Sequence, residues 1–145
     1  MSDIEISAGF AAARLTGIIA LFDAIAPGAS VLFYSSTRPA AGVAPTDSAV
    51  AIVPLPVPCG VVGAPPEGLG ITPVPLAVLA LDVTPPPEGQ VSDSGMLLWA
   101  RIVDGAGVEH LRCTVGATGA GFAIEVDSVA VYAGGYVRIT GGWLF

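Results

Sequence analysis

Residues 95–115 read Gly-Met-Leu-Leu-Trp-Ala-Arg-Ile-Val-Asp-Gly-Ala-Gly-Val-Glu-His-Leu-Arg-Cys-Thr-Val, and this stretch decides the fold. Two apolar runs flank Asp104-Gly105-Ala106-Gly107. An Asp-Gly step between such runs is a strong hairpin signal, because a tight turn needs residues that tolerate positive φ. The spacing predicts a strand over residues 95–103, a turn over 104–107 and a returning strand over 108–115. On the returning strand Glu109, Leu111 and Cys113 share one face, and His110 and Arg112 the other.

Towards the C-terminus, residues 116–121 predict a glycine-rich loop. Residues 122–126, 129–132 and 136–145 follow as strands, with Gly134-Gly135 as a tight turn. In Ala123-Ile-Glu-Val-Asp127 apolar and acidic residues alternate with period two, which predicts one solvated face.

Towards the N-terminus, Pro85-Pro86-Pro87 is a stiff break. Residues 76–83 are strand-like and follow Pro73 and Pro75. Residues 49–57 are also strand-like but carry Pro54 and Pro56, with Pro58 just beyond. Alternate N–H groups of a strand point to the same neighbour, so this spacing removes donors from one edge only. It predicts an edge strand closed to open-ended pairing; a polyproline-type extended segment fits equally well. Residues 31–34 predict a strand and 35–47 a loop.

A helix is predicted over residues 8–26, capped by Ser7 and ended by Pro27-Gly28. Leu15, Ile18, Phe22 and Ile25 recur at helical spacing. The polar face is thin, so a sheet or a neighbouring subunit is expected to cover the helix. One helix and about seven or eight short strands give a mainly β fold, a sandwich or barrel, in a single domain over residues 1–145.

Composition narrows the function. The 145 residues are 53% hydrophobic and only 12% charged, with a net charge of −7. All five basic residues are arginines, spread singly along the chain. Phosphate binding rests on clustered Lys and Arg, so nucleic acid is not the expected partner. A surface this poor in charge leaves apolar area for other proteins, which points to an oligomer or a larger assembly. Asp3 and Glu5 stand where a signal peptide wants positive charge, and Arg14 and Asp23 interrupt the first apolar run, so no membrane span is expected.

Chemistry is sparse. His110 is the only histidine. Cys59 and Cys113 are the only cysteines, bonded to each other or buried as free thiols. Neither a nucleophile motif nor zinc-ligand spacing is present. The carboxylate pairs Asp3/Glu5 and Glu125/Asp127 each share a strand face, as calcium ligands or a glycosidase pair do and as ordinary solvated faces do. The loop over 116–121 lacks the Lys and Ser/Thr of a phosphate-binding loop. The expectation is a non-enzymatic protein with no cofactor and no metal. Large apolar residues at a chain end should be docked, so Trp143, Leu144 and Phe145 are expected to pack on the chain's own core or on a neighbour. Together with Leu15 and Phe22 they are the candidate protein interface.

The motif order resembles that of a family of small phage and prophage virion proteins. The carriers are an opening helix and a strand leading into Ser36-Thr-Arg-Pro-Ala40. They continue with Gly95-Met-Leu-Leu-Trp-Ala-Arg-Ile-Val-Asp-Gly105 and the Val-Tyr-Ala-Gly-Gly turn over 131–135. Within that group the chain is most similar to the head cement, or decoration, proteins of tailed bacteriophages. The resemblance implies a jelly-roll-like fold and binding to the outer surface of the phage head. The implied partner is the major capsid protein, with homo-oligomers, dimeric or trimeric, on the lattice after synthesis in the host cytoplasm. A tail or fibre module for receptor binding is the alternative. The dense prolines over 49–87 and the absence of lysine depart from the pattern.

Overall fold

A computed structural model describes residues 5–67 and 74–145. Helix α1 (Ala8–Asp23) opens the chain. Ser7 caps it, its Oγ accepting from the Phe10 N–H at 3.1 Å. The helix stops at Asp23 rather than near residue 26, because the chain turns into Pro27, with the Gly28 N–H donating to the Ile25 carbonyl.

Eleven strands are described: β1 (Ser30–Tyr34), β2 (Ala51–Pro54), β3 (Gly60–Gly63), β4 (Val78–Leu81), β5 (Glu88–Gln90), β6 (Gly95–Met96), β7 (Trp99–Val103), β8 (Glu109–Ala117), β9 (Ile124–Val126), β10 (Ala130–Val131) and β11 (Tyr136–Leu144). One curled sheet runs β2-β1-β7-β8-β9-β11-β4-β3, with β5 also paired to β11. The protein is therefore mainly β with one N-terminal helix, of the sandwich-or-barrel class. The pairs are antiparallel except β8 with β9. A separate two-stranded ribbon joins β6 to β10.

The hairpin over 95–115 forms, but the positive φ falls on Gly107 and not on the Asp104-Gly105 step. Asp104 Oδ1 accepts from the N–H groups of Ala106 and Val108, and Gly107 takes φ +84°. Gly105 lies against the carbonyls of Ile25 and Ala26, so a side chain there would strike the backbone just beyond the helix. The expected strand over 95–103 is broken at Leu97-Leu98, where Gly95 and Met96 leave to pair with β10.

The prolines of β2 sit on one edge. The Leu55 N–H donates to the Ala29 carbonyl, towards β1. By strand alternation Pro54 and Pro56 fall on the opposite edge. That edge is not left open. Ala51 bridges to Val91, the Ser92 N–H donates to the Val50 carbonyl, and Gly89 lies against the Ile52 carbonyl. Because β5 also pairs with β11, the sheet curls round to a seam between β2 and β5. Pro75 precedes β4 by two residues; Pro73 lies outside the described residues.

The core lies inside the curl. Val31, Phe33, Val53, Leu79, Ile102, Ile124, Val137 and Ile139 are buried there. Helix α1 packs on β3 and β4 and adds Ala11, Leu15 and Phe22 to the same core. Each large apolar side chain so buried stabilises by about 1.5–3 kcal/mol. The helix is not covered all round: Phe10 is 60% exposed and Leu21 46%. No helix among the described residues is long and apolar enough to cross a membrane.

Candidate functional site

Strand β8 is only half enclosed. Its residues 109–114 pair with β7, while β9 pairs with it only from Val115 to Ala117. On the side away from β7, residues 109–113 have no strand partner among the described residues. A cavity of about 290 Å³ opens beside this free edge, lined by Ile18, Leu111, Arg112, Cys113, Ala123, Trp143, Leu144 and Phe145. Its walls are the flank of α1 and the end of β11. The volume is close to the lower end of the ~300–1,000 Å³ usual for ligand pockets.

The structure thus divides the five expected interface residues. Trp143, Leu144 and Phe145 come together at this cavity, with Phe145 52% exposed and Leu144 buried. Leu15 and Phe22 do not join them. Each is 1% exposed, packed into the chain's own core, and offers no surface to a partner. Ile18, on the same helix, takes their place at the cavity. Its helical register with Leu15 and Phe22 was visible in the sequence. The roles of Leu111 and Ala123 depend on how β8 and β11 diverge, which no local pattern encodes.

A second feature occupies the outer face of β1, β7 and β8. Tyr34 and Trp99 stack with ring centroids 4.3 Å apart and planes 11° from parallel. Trp99 is buried, but on this outer face and not in the barrel interior. Arg101 lies over Tyr34 and donates to its hydroxyl at 2.9 Å; Arg112 lies over Trp99. Glu109 receives both guanidinium groups. Arg112 also donates to the carbonyls of Ala40 and Val43, at 3.3 and 2.6 Å, and so pins the Thr-Arg-Pro loop onto the sheet. Arg38, Pro39, Ala40, Ala41 and Arg112 border a second cavity of about 410 Å³. Arg112 lines both cavities, which are therefore neighbours.

His110 Nε2 lies 2.9 Å from Asp104 Oδ2, and its ring rests against Phe22 at 6.0 Å. The hydrogen bond from His110, with those from Val108 and Ala106, holds the buried Asp104 carboxyl below its ordinary value. The pair joins the hairpin to the helix. Both cysteines are free thiols. Burial, reinforced by the Asp23 carboxylate, pushes Cys59 up to about 12. Burial pushes Cys113 up to about 12 as well, against the opposing charge of Arg38. Neither thiol is activated as a nucleophile.

The carboxylate pair Glu125/Asp127 is split. Glu125 is buried and accepts from the Gly121 N–H at 2.8 Å, because the glycine-rich loop folds over it. Of the expected solvated face only Asp127 is exposed, and all three residues of β9 are buried. Asp127 instead pairs with Arg138. Asp3 of the other pair lies outside the described residues; Glu5 is exposed. The first residues of the predicted loop, Gly116 and Ala117, extend β8, with the Phe122 ring seated directly on Gly116.

No protein-family model, curated protein or solved structure matches this chain.

Proposed function

We propose that the protein is a non-enzymatic virion structural protein that binds the outer surface of a phage head and reinforces contacts between major capsid subunits. The observation that carries this reading is the apolar cavity beside the free edge of β8, walled by Ile18, Trp143, Leu144 and Phe145. A protein with 12% charged residues, this cavity and an exposed apolar helix face presents surface suited to other proteins. The resemblance of its motif order to that of head cement proteins supports the same reading. On a symmetric lattice many weak contacts add to a large stabilisation.

Purified heads with and without the protein, heated side by side, test this. Decorated heads are expected to retain their DNA to higher temperature. Equal release curves, or labelling of the tail instead of the head in electron micrographs, sink the proposal.

One observation favours the alternative of a receptor-binding tail or fibre module. Tyr132 and Tyr136 are 73% and 59% exposed and flank the Gly134-Gly135 turn, where tyrosine rings suit a sugar face. Tail labelling with loss of adsorption on Tyr132→Ala supports that reading.

A further inference from the structure

The fold gathers positive charge that the sequence scatters. Arg101 and Arg112 stand opposite one another on β7 and β8, and Arg112 shares the lining of the 410 Å³ cavity with Arg38. Three of the chain's five arginines therefore meet on one face. Glu109 is the one carboxylate ion-paired with this group among the described residues. Three guanidinium groups against one carboxylate leave a local charge of +2 on a chain of net charge −7. The three are not equally free. Arg101 donates to the Tyr34 hydroxyl and to Glu109. Arg112 donates to Glu109 and to the carbonyls of Ala40 and Val43. Arg38 is exposed and makes no ion pair among the described residues.

The loop that carries Arg38 is held in place. Two hydrogen bonds from Arg112 tie it to β8, the Val43 N–H donates to the Ala40 carbonyl at 3.0 Å, and Pro39 fixes its own φ beside Arg38. A guanidinium presented from a fixed loop loses less freedom when it binds. Its charge is felt at the Cys113 thiol, on β8. The cavity volume, about 410 Å³, falls within the roughly 300–1,000 Å³ usual for ligand pockets. We propose that this cavity binds a carboxylate, gripped by the free fork of Arg38 in the positive field of Arg112. A planar fork matches a carboxylate with two parallel hydrogen bonds. Phosphate fits less well, because its oxygens ask for more donors than one free guanidinium supplies. A nucleic-acid strand is repelled by the rest of the acidic chain. The carboxylate can come from a small organic diacid or from an acidic side chain of a partner protein. The inference does not rest on the head-cement reading, because the purified protein alone can show it.

Titration of the full chain at low ionic strength tests it, with glutarate and separately with the capped peptide acetyl-Gly-Glu-Gly-amide as probes. Saturable shifts of the Ala40 and Ala41 amide resonances are expected. Arg38→Gln should weaken binding about tenfold or more. Arg38→Lys should recover only part of the loss, because it keeps the charge without the fork. Arg38 is exposed, so both variants should fold, which far-ultraviolet circular dichroism checks. Tighter binding of glutarate assigns the site to a free organic acid, and tighter binding of the peptide to a partner's side chain; either upholds the carboxylate. The absence of shifts at these residues up to about 50 mM of both probes overturns the proposal. So does an affinity unchanged in Arg38→Gln, or inorganic phosphate that binds more tightly than glutarate.

Discussion

Arg101 and Arg112 stand directly opposite one another across β7 and β8, and Glu109 reaches both guanidinium groups, at 3.4 and 3.0 Å. Like charges facing across a strand pair are destabilising, so the carboxylate is what makes the arrangement tolerable. All three side chains are less than one-third exposed, which limits solvent screening. Glu109→Gln is expected to destabilise by about 1–2 kcal/mol. The loss should shrink in high salt, where the arginine repulsion is screened. Denaturant melts at two ionic strengths measure this; an unchanged midpoint at low salt would count against it.

The Trp99 indole N–H is buried without a partner among the described residues, while its ring stacks on Tyr34. The ring and the N–H therefore act in opposite directions. Trp99→Phe keeps an aromatic partner for Tyr34 and removes the orphaned donor, so its net cost should be under about 1 kcal/mol. Trp99→Ala should cost about 3–5 kcal/mol. Comparable losses in the two variants would show that the indole N–H has a partner after all.

Asp104 gives the protein an acid-sensitive joint. Its pKa is lowered in the folded state, principally by the hydrogen bond from His110, relative to about 3.8. A carboxyl with a depressed folded pKa contributes stability that is complete above its unfolded value and is lost as the pH falls through the folded value. The contribution is therefore present at neutral pH and fades below about 3.8. Asp104→Asn should lower stability at pH 7 and lose less than the wild type between pH 4 and the acid limit. Unfolding midpoints of both proteins across that range decide it, and parallel curves would dissociate Asp104 from the acid response.

Two glycines make opposite demands. A side chain at Gly89 would strike the Ile52 carbonyl across the seam, whereas one at Gly17, in mid-helix, meets nothing within 4 Å. Gly89→Ala should destabilise by more than about 2 kcal/mol, since rigid backbone must move. Gly17→Ala should stabilise by about 0.5–1 kcal/mol through helix propensity. Thermal melts of the two variants should move in opposite directions.

Much of the fold was legible where short-range chemistry decides it. The Asp104-Gly105 turn fixed the central hairpin, Ser7 and Pro27 bracketed the helix, and the proline spacing marked an edge of β2. What was hidden depends on pairing between distant segments. Nothing near Glu125 in the sequence says that the loop over 116–121 folds back to bury it, so a period-two pattern put Glu125 on a solvated face with Asp127. Nothing in β2 says that Val91 closes its outer side. The candidate site was half legible for the same reason. The apolar end of the chain announced Trp143, Leu144 and Phe145. Leu15 and Phe22 were misplaced because helical periodicity identifies an apolar face without saying whose core it enters.

The seam between β2 and β5 has a consequence for the order of assembly during folding. Residues 99–103 meet 109–114 across a short turn, while Ala51 must find Val91 and Gln90 must find Tyr136. Loop closure makes such distant pairings slow, so the hairpin should form early and the seam last. The last contacts made with so little pairing should also be among the first to open. Amide exchange at Val91 should outpace that at Ile102, and the ring of strands would then breathe at one place, leaving the β7–β8 ladder intact.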